Sequence, residues 1–408
     1  MRVIDGGITA PEGFRAAGRH IGIKKVKKDM ALLVSDVPAK AAGVYTQNLV
    51  KAAPVLWNRA ITDSRSTVRG LVCVSGNANA CTGEKGIRDN ELMAKAFSWL
   101  LGTDKKEILT AATGIIGLDM PMDTVLKGIE DTFPELSNKR EAAKNAAAGI
   151  ITTDTFLKEL ALELNIGGKV IKIGGMAKGS GMIHPNMATV LSFVTTDINI
   201  SQELLQKALS RAVRETYNMI SVDGATSTND MALIMANGLA GNVEITEENE
   251  FYEAFYRALL FIHEKFARDI IHDGEGASKF IQVDLAGART EEDARVLAKA
   301  IVTNDLVKTA MYGEDANWGR IAAAMGASGG YFDPSKLKVE MSSENGRILL
   351  MDNGEPVSFD ENLASEILSH RDIYITIVLC DGKYKARSYG CDLGHEYIRI
   401  NGEYRSHS

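Results

Sequence analysis

Three apolar runs, each ending in a glycine-bearing loop, constrain the fold more than any other feature of the chain. They are GLVCVSGNANACTG at 70–83, ILTAATGIIG at 108–117 and KVIKIGGMAKGSG at 169–181. Runs of this length, rich in Val and Ile and stopped by glycine, read as buried strands opening into loops. Helical patterns are interleaved with them. Ile87, Leu92, Met93, Phe97 and Leu100 recur at helical spacing over 86–101. Ser201 is placed to cap ELLQKALSRAVRETY, and Thr290 before Glu291, Glu292 and Asp293 is a second start signal. Residues 248–270 form a long amphipathic segment, and the last third alternates short strands (LKVEMSS, RILLMDNGEPV, DIYITIVLCDG) with turns. The expected class is α/β, with large sheets covered by helices.

Composition narrows the function classes. The 408 residues carry a net charge of −7, so there is no basic footprint for a nucleic-acid backbone. The start, MRVIDGGITAPEGF, has no apolar signal region, and no window approaches a membrane span. The expectation is a soluble cytoplasmic protein with no nucleic-acid or membrane partner. Cys73, Cys81, Cys380 and Cys391 form no CxxC pair and are expected to be buried small hydrophobes. The seven histidines, His20, His184, His263, His272, His370, His395 and His407, show no metal-ligand spacing. Phosphate-loop and dinucleotide signatures are missing.

The segment KGSGMIHPNMATVLSFVTTD, 178–197, stands apart. A small-residue loop leads to Ala188-Thr189, and Val190, Leu191, Phe193 and Val194 then read as a core strand. A threonine opening a strand is ordinarily structural, because β-branching suits strands. The same placement suits a threonine held rigidly while the peptide bond before it is cut. Cleavage would free an α-amine, which titrates near 7.7–8.0 and serves as base for its own hydroxyl. A charge asymmetry coincides with this point. Residues 1–188 carry 25 Lys and Arg against 19 Asp and Glu, a net of +6, which leaves −13 for the remainder. Opposite signs favour association of two such segments, although drift in surface composition gives the same count.

The segment resembles the self-cleavage site of the ornithine acetyltransferase family, the glutamate N-acetyltransferases of cyclic arginine biosynthesis. The resemblance runs along the whole chain: GGITAPEGFRAAGRHIGIK, KAAPV at 51–55, SGNANACTG at 75–83, TGIIG at 113–117, TTDT at 152–155, MAKGSGMIHPNMAT at 176–189, GEGASK at 274–279, DANWGRI at 315–321 and RINGEY at 399–404. It implies stacked central β-sheets flanked by helices, the arrangement of the L-aminopeptidase-like N-terminal-nucleophile enzymes. It implies cleavage between Ala188 and Thr189 into an α chain of 1–188 and a β chain of 189–408, associated as an α2β2 heterotetramer. Thr189 is then the nucleophile, and the Thr113 hydroxyl and Gly114 N–H form the oxyanion hole. Thr152, Lys178, Thr189, Glu275, Asn401 and Ser406 are the implied substrate-binding set. Read without the resemblance, TGIIG is a strand-to-helix turn, Lys178 a solvated loop lysine and Glu275 a carboxylate at a helix N-terminus.

The implied reaction moves acetyl from N2-acetyl-L-ornithine to L-glutamate through acetyl-Thr189, with no metal or prosthetic group. Acetyl-CoA as a further donor is left open. Two departures from the family pattern stand out. The family usually has threonine where this chain has Ser406, followed here by His407 and Ser408; and Ala225 stands where an acid is frequent. An N-terminal-nucleophile aminopeptidase or amidase that gives its acyl group to water, and a non-enzymatic or unprocessed binding homologue, remain alternatives.

Overall fold

The computed structural model describes residues 1–184 and 190–403. Two sheets organise them. The first runs in the order Arg2–Ile4, Lys158–Ile166, Lys169–Lys178, Leu191–Thr196, Met231–Ala236, Met30–Tyr45, Val68–Asn77, Ile108–Ile115, with Phe14–Arg19 also paired to Met30–Tyr45. The long strand Met30–Tyr45 changes partners along its length. Its early residues pair with Val68–Asn77 and its late ones with Met231–Ala236, with a register break between Val34 and Ala39. The sheet therefore has two limbs.

A core fills the space between the limbs. Leu33, Leu71, Cys73 and Leu109 from one limb meet Met176, Leu191, Phe193 and Leu233 from the other, together with helix Arg140–Ile150. Helices Gln202–Glu215 and Glu250–His272 cover one outer face through Leu205, Leu209, Phe255, Ile262 and Phe266. Helices Gly83–Leu101 and Met122–Thr132 cover the other through Met93, Phe97, Val125 and Ile129. The layers are helix, sheet limb, sheet limb, helix, the stacked architecture that the family resemblance implies. Strands covered on both faces carry no polar alternation, and every residue of Leu191–Thr196 and of Met231–Ala236 is buried.

The second sheet runs Glu355–Pro356, Gly346–Asp352, Lys338–Ser343, Asp372–Val378, Phe280–Ala288, Tyr384–Cys391, Ile220–Ser221. Helices Glu291–Thr303, Trp318–Gly326 and Glu361–Ser369 pack Leu297, Ile301, Ile321, Met325 and Ile367 onto Val283, Met341 and Ile375. Asp372–Val378 alternates buried and half-buried positions along its length, so its two faces meet different surroundings.

Both expected caps form: the Ser201 hydroxyl accepts from Leu204 N–H and the Thr290 hydroxyl from Asp293 N–H. Other expectations need correction. Cys73 and Cys391 are buried, but Cys81 and Cys380 are exposed, both with positive φ. Ile87 and Leu92 face solvent, because helix Gly83–Leu101 buries the stripe through Met93 and Phe97 instead. No described helix is long and apolar enough to cross a membrane.

Candidate active site

The site lies where the glycine-stopped strands of the first sheet release their chains. Val68–Asn77 and Ile108–Ile115 run parallel, with Gly76 opposite Gly114 at a break in register. Gly114 has φ +137°, and a Cβ there would lie 2.3 Å from the Gly76 carbonyl carbon and 2.5 Å from Asn77 N. Only glycine fits, since both the backbone angle and the space exclude a side chain. Thr113, one residue earlier, is buried. Its Oγ1 accepts from Lys178 Nζ at 3.0 Å, and the same ammonium donates to Thr152 Oγ1 at 3.3 Å. A hydroxyl that accepts from an ammonium still has its own proton to give.

Thr113, Gly114, Thr152, Lys178, Glu275 and Asn401 all line one cavity of about 310 Å³. Glu275 is nearly buried, and its Oε2 accepts from Asn401 Nδ2 at 2.9 Å. The carboxylate sits against Gly181, where a Cβ would come within 2.2 Å of Oε2. Glu275 follows helix Glu250–His272 and precedes strand Phe280–Ala288, so it is not at a helix N-terminus. Lys178 is not a solvated loop lysine either, since it ends strand Lys169–Lys178 and is held by two hydroxyls.

Ala188, Thr189 and Ser406 lie outside the described residues. The chain on either side of the first two is described, and Ile183 and Val190 both form part of the cavity wall. The approach to this segment is held by Asp223, which the sequence did not single out. Its carboxylate accepts from Met182 N at 2.6 Å, Ile183 N at 2.9 Å, Ala225 N at 3.1 Å and the Tyr397 hydroxyl at 3.2 Å. His184 Nδ1 lies 3.1 Å from Ser221 Oγ. Burial, helped by nearby Lys299, brings its pKa down to about 4. Asn229, on another wall, donates to Ala78 O and Ala112 O and so ties that wall to the strands behind Thr113.

A second set of residues beneath the cavity was also missed. Asp154 and Lys158 are buried, and Lys158 Nζ donates to Asp154 Oδ1 at 2.8 Å and to Asp273 Oδ2. Burial alone would raise the Asp154 carboxyl. The positive charges of Lys158 and Lys178, with hydrogen bonds from Lys158 and Gly179 N–H, hold it at about 2 instead. The local sequence does not mark the ion pairs these three form, because charged residues ordinarily read as solvated surface.

A larger chamber, of about 840 Å³, adjoins the first and shares Gly114, Thr152 and Glu275 with it. Lys24, Lys27 and Arg371 stand on its walls. Asp29 orders the loop carrying Lys24 by accepting from the N–H groups of Ile21, Ile23 and Lys24. Burial lowers the Lys24 ammonium to about 8, against the attraction of Asp29.

A model of the ArgJ family matches residues 15–406. The chain is 48% identical over 406 residues, 100% of both chains, to the arginine biosynthesis bifunctional protein ArgJ of Caldanaerobacter subterraneus subsp. tengcongensis. It is 49% identical over 409 residues, again 100% of both, to the protein of the same name from Symbiobacterium thermophilum. Among solved structures, ornithine acetyltransferase from Mycobacterium tuberculosis, crystallised with ornithine, aligns over 46% of this chain and 98% of its own, at 39% identity and TM-score 0.43. With the family model matched from residue 15 to residue 406 and full-length relatives near half identity, the chain belongs to the ArgJ family.

Proposed function

We propose that this protein is a self-processing glutamate N-acetyltransferase that carries acetyl from N2-acetyl-L-ornithine to L-glutamate on Thr189. The observation that carries the reading is the Lys178 ammonium hydrogen-bonded to both Thr113 and Thr152, in a cavity bounded by Gly114, Glu275 and Val190. An acyl-transfer site needs donors aimed at a developing oxyanion, and Thr113 O–H with Gly114 N–H supply that role. Lys178 and Glu275 offer opposite charges for the carboxylate and ammonium of an amino acid.

In maturation, Thr189 Oγ attacks the Ala188 carbonyl carbon and the Ala188–Thr189 C–N bond breaks. The ester so formed is hydrolysed by water, which leaves an Ala188 carboxylate and restores the hydroxyl. The products are an α chain of 1–188 and a β chain of 189–408. In turnover the free α-amine takes the hydroxyl proton, directly or through water, and Oγ attacks the acetyl carbonyl. The donor C–N bond breaks, ornithine leaves with the proton, and the amine of glutamate then takes acetyl from Thr189. The residues supply nucleophile, base and oxyanion donors, so the reaction as written uses no metal or prosthetic group. We place the enzyme in the cytoplasm as an α2β2 heterotetramer, with Ser406 closing the substrate set.

Acetyl-CoA as a further donor is favoured by the adjoining chamber, whose Lys24, Lys27 and Arg371 suit a phosphate-bearing carrier. Incubation of the purified protein with glutamate and each donor in turn tests both readings. N-acetylglutamate is expected from N-acetylornithine, and from acetyl-CoA if the larger chamber serves it; acetate release alone assigns an amidase. Thr189→Ala is expected to give one full-length inactive chain on a denaturing gel, and Thr189→Ser two chains. Normal cleavage of Thr189→Ala overturns the assignment of the nucleophile.

A further inference from the structure

Three separate stretches of chain bring Thr152, Lys178 and Glu275 to the cavity, and all three are anchored below it to one buried set of charges. Asp154 Oδ2 accepts from Thr152 N at 3.0 Å, and Asp154 Oδ1 accepts from Gly179 N at 2.8 Å. One carboxylate therefore holds the backbone of the first stretch and the backbone just after Lys178. Asp273, two residues before Glu275, accepts from Thr155 N at 3.1 Å and from the Thr155 hydroxyl. Its backbone carbonyl accepts from the Ser180 hydroxyl, and Ser180 O in turn accepts from Glu275 N at 3.0 Å. Lys158 joins the two carboxylates, and its ammonium also lies 4.7 Å from the Phe156 ring centroid.

Every member is thus satisfied, the condition under which buried charges are tolerable. The set is costly to bury, and the fold has ample apolar core without it. Its connections reach the backbone on each side of the cavity.

We infer that Lys158, Asp154 and Asp273 are positioning residues for amino-acid binding, setting the spacing of Thr152, Lys178 and Glu275. The inference rests on the acetyltransferase reading for the identity of the amino acid, but not for the existence of the set. It also crosses the proposed cut, since Asp154 and Lys158 precede residue 188 and Asp273 follows it. The spacing of the cavity after cleavage would then depend on a non-covalent ion pair.

The discriminating variant is Asp154→Asn. Size is kept and the Lys158–Asp273 pair remains, but an NH2 group must now face a donor, whether Thr152 N–H, Gly179 N–H or Lys158. Displacing the backbone at Thr152 and at Gly179 is expected to raise KM for N-acetylornithine and for glutamate together, by about 10–100-fold, because small misplacement of binding groups costs on that order. Turnover per acetylatable β chain, counted by donor-only labelling, is expected to stay within about 3-fold, the mark of lost binding common to ground and transition states. Lys158→Met, which strands two buried carboxylates, is expected to give the same KM change with a lower melting temperature. Unchanged KM values with a loss only of melting temperature or of labelled sites would overturn the inference and leave a structural ion pair. Calorimetric titration of ornithine into wild type and Asp154→Asn separates the two claims. Weaker ornithine binding in the variant upholds the positioning role even if the wild type transfers no acetyl, a result that would overturn the acetyltransferase reading alone. Equal binding overturns the positioning role, and so does no binding to either protein.

Discussion

The two sheets use the chain in opposite ways. In the first, Leu191–Thr196 and Met231–Ala236 are inserted between Lys169–Lys178 and Met30–Tyr45, so strands from either side of residues 188–189 alternate in one hydrogen-bonded layer. The second is built from residues 220–391 alone. The first is covered on both faces, and its strand ends carry Thr113, Gly114 and Lys178. The second supports the site from one side. Its border supplies Asp392, which fixes the loop after Glu275 by accepting from Ser278 N and Lys279 N, each at 2.8 Å. Helix His395–Gly402 beyond that border brings Asn401. The first sheet thus carries most of the candidate site, and the second positions the wall opposite.

The interleaving can be broken most severely at Gly114. Gly114→Ala puts a Cβ into the Gly76 backbone at a positive φ, and is expected to cost about 3 kcal/mol or more, with activity abolished. Denaturant unfolding and acetyl transfer check both. The cut itself is expected to have the opposite outcome. Because inserted strands keep their partners, the 1–188 and 189–408 chains should migrate together on a native gel and separate only on denaturation.

Thr113→Val keeps the shape of the site and removes one donor. By comparison with other acyl-transfer enzymes, kcat should fall about 10²–10³-fold with KM little changed. If kcat per cleaved chain is unchanged, TGIIG is only a turn. Ile375→Val, in the buried face of the second sheet, should behave differently. A cost of about 0.5–1.5 kcal/mol in unfolding, with kcat and KM intact, is expected of a buttress.

The smallest effect concerns acid. His184 and fully buried His263 are both held neutral by burial, at about 4 and about 3. Below the ordinary histidine value near 6.5 the unfolded chain binds protons that the folded chain refuses, so stability should fall as pH drops from about 6.5 toward 4. His263→Gln should remove one proton from that slope, read by unfolding at stepped pH.

How much of this was legible depends on range. Caps at Ser201 and Thr290 and the glycine-stopped strands are local features, and their positions follow from local chemistry. Thr113, Thr152, Lys178, Glu275 and Asn401 were singled out through the family resemblance, and the fold brings all five to one cavity. Asp154, Lys158, Asp223 and Asp273 were not legible. Lys158 and Asp273 are 115 residues apart, and each alone looks like an ordinary surface charge. Cys81 and Cys380 were misread for the complementary reason: their exposure goes with a local backbone conformation, positive φ at both, that composition does not describe.

The central claim is that acetyl rests on Thr189 between the two substrates. Wild-type protein incubated with N-acetylornithine alone, quenched and digested, should yield the peptide beginning at Thr189 heavier by about 42 Da, one acetyl group on the nucleophile. Adding glutamate should remove that mass and release N-acetylglutamate. A peptide of unchanged mass while transfer proceeds, or acetyl found on another residue, would contradict the account.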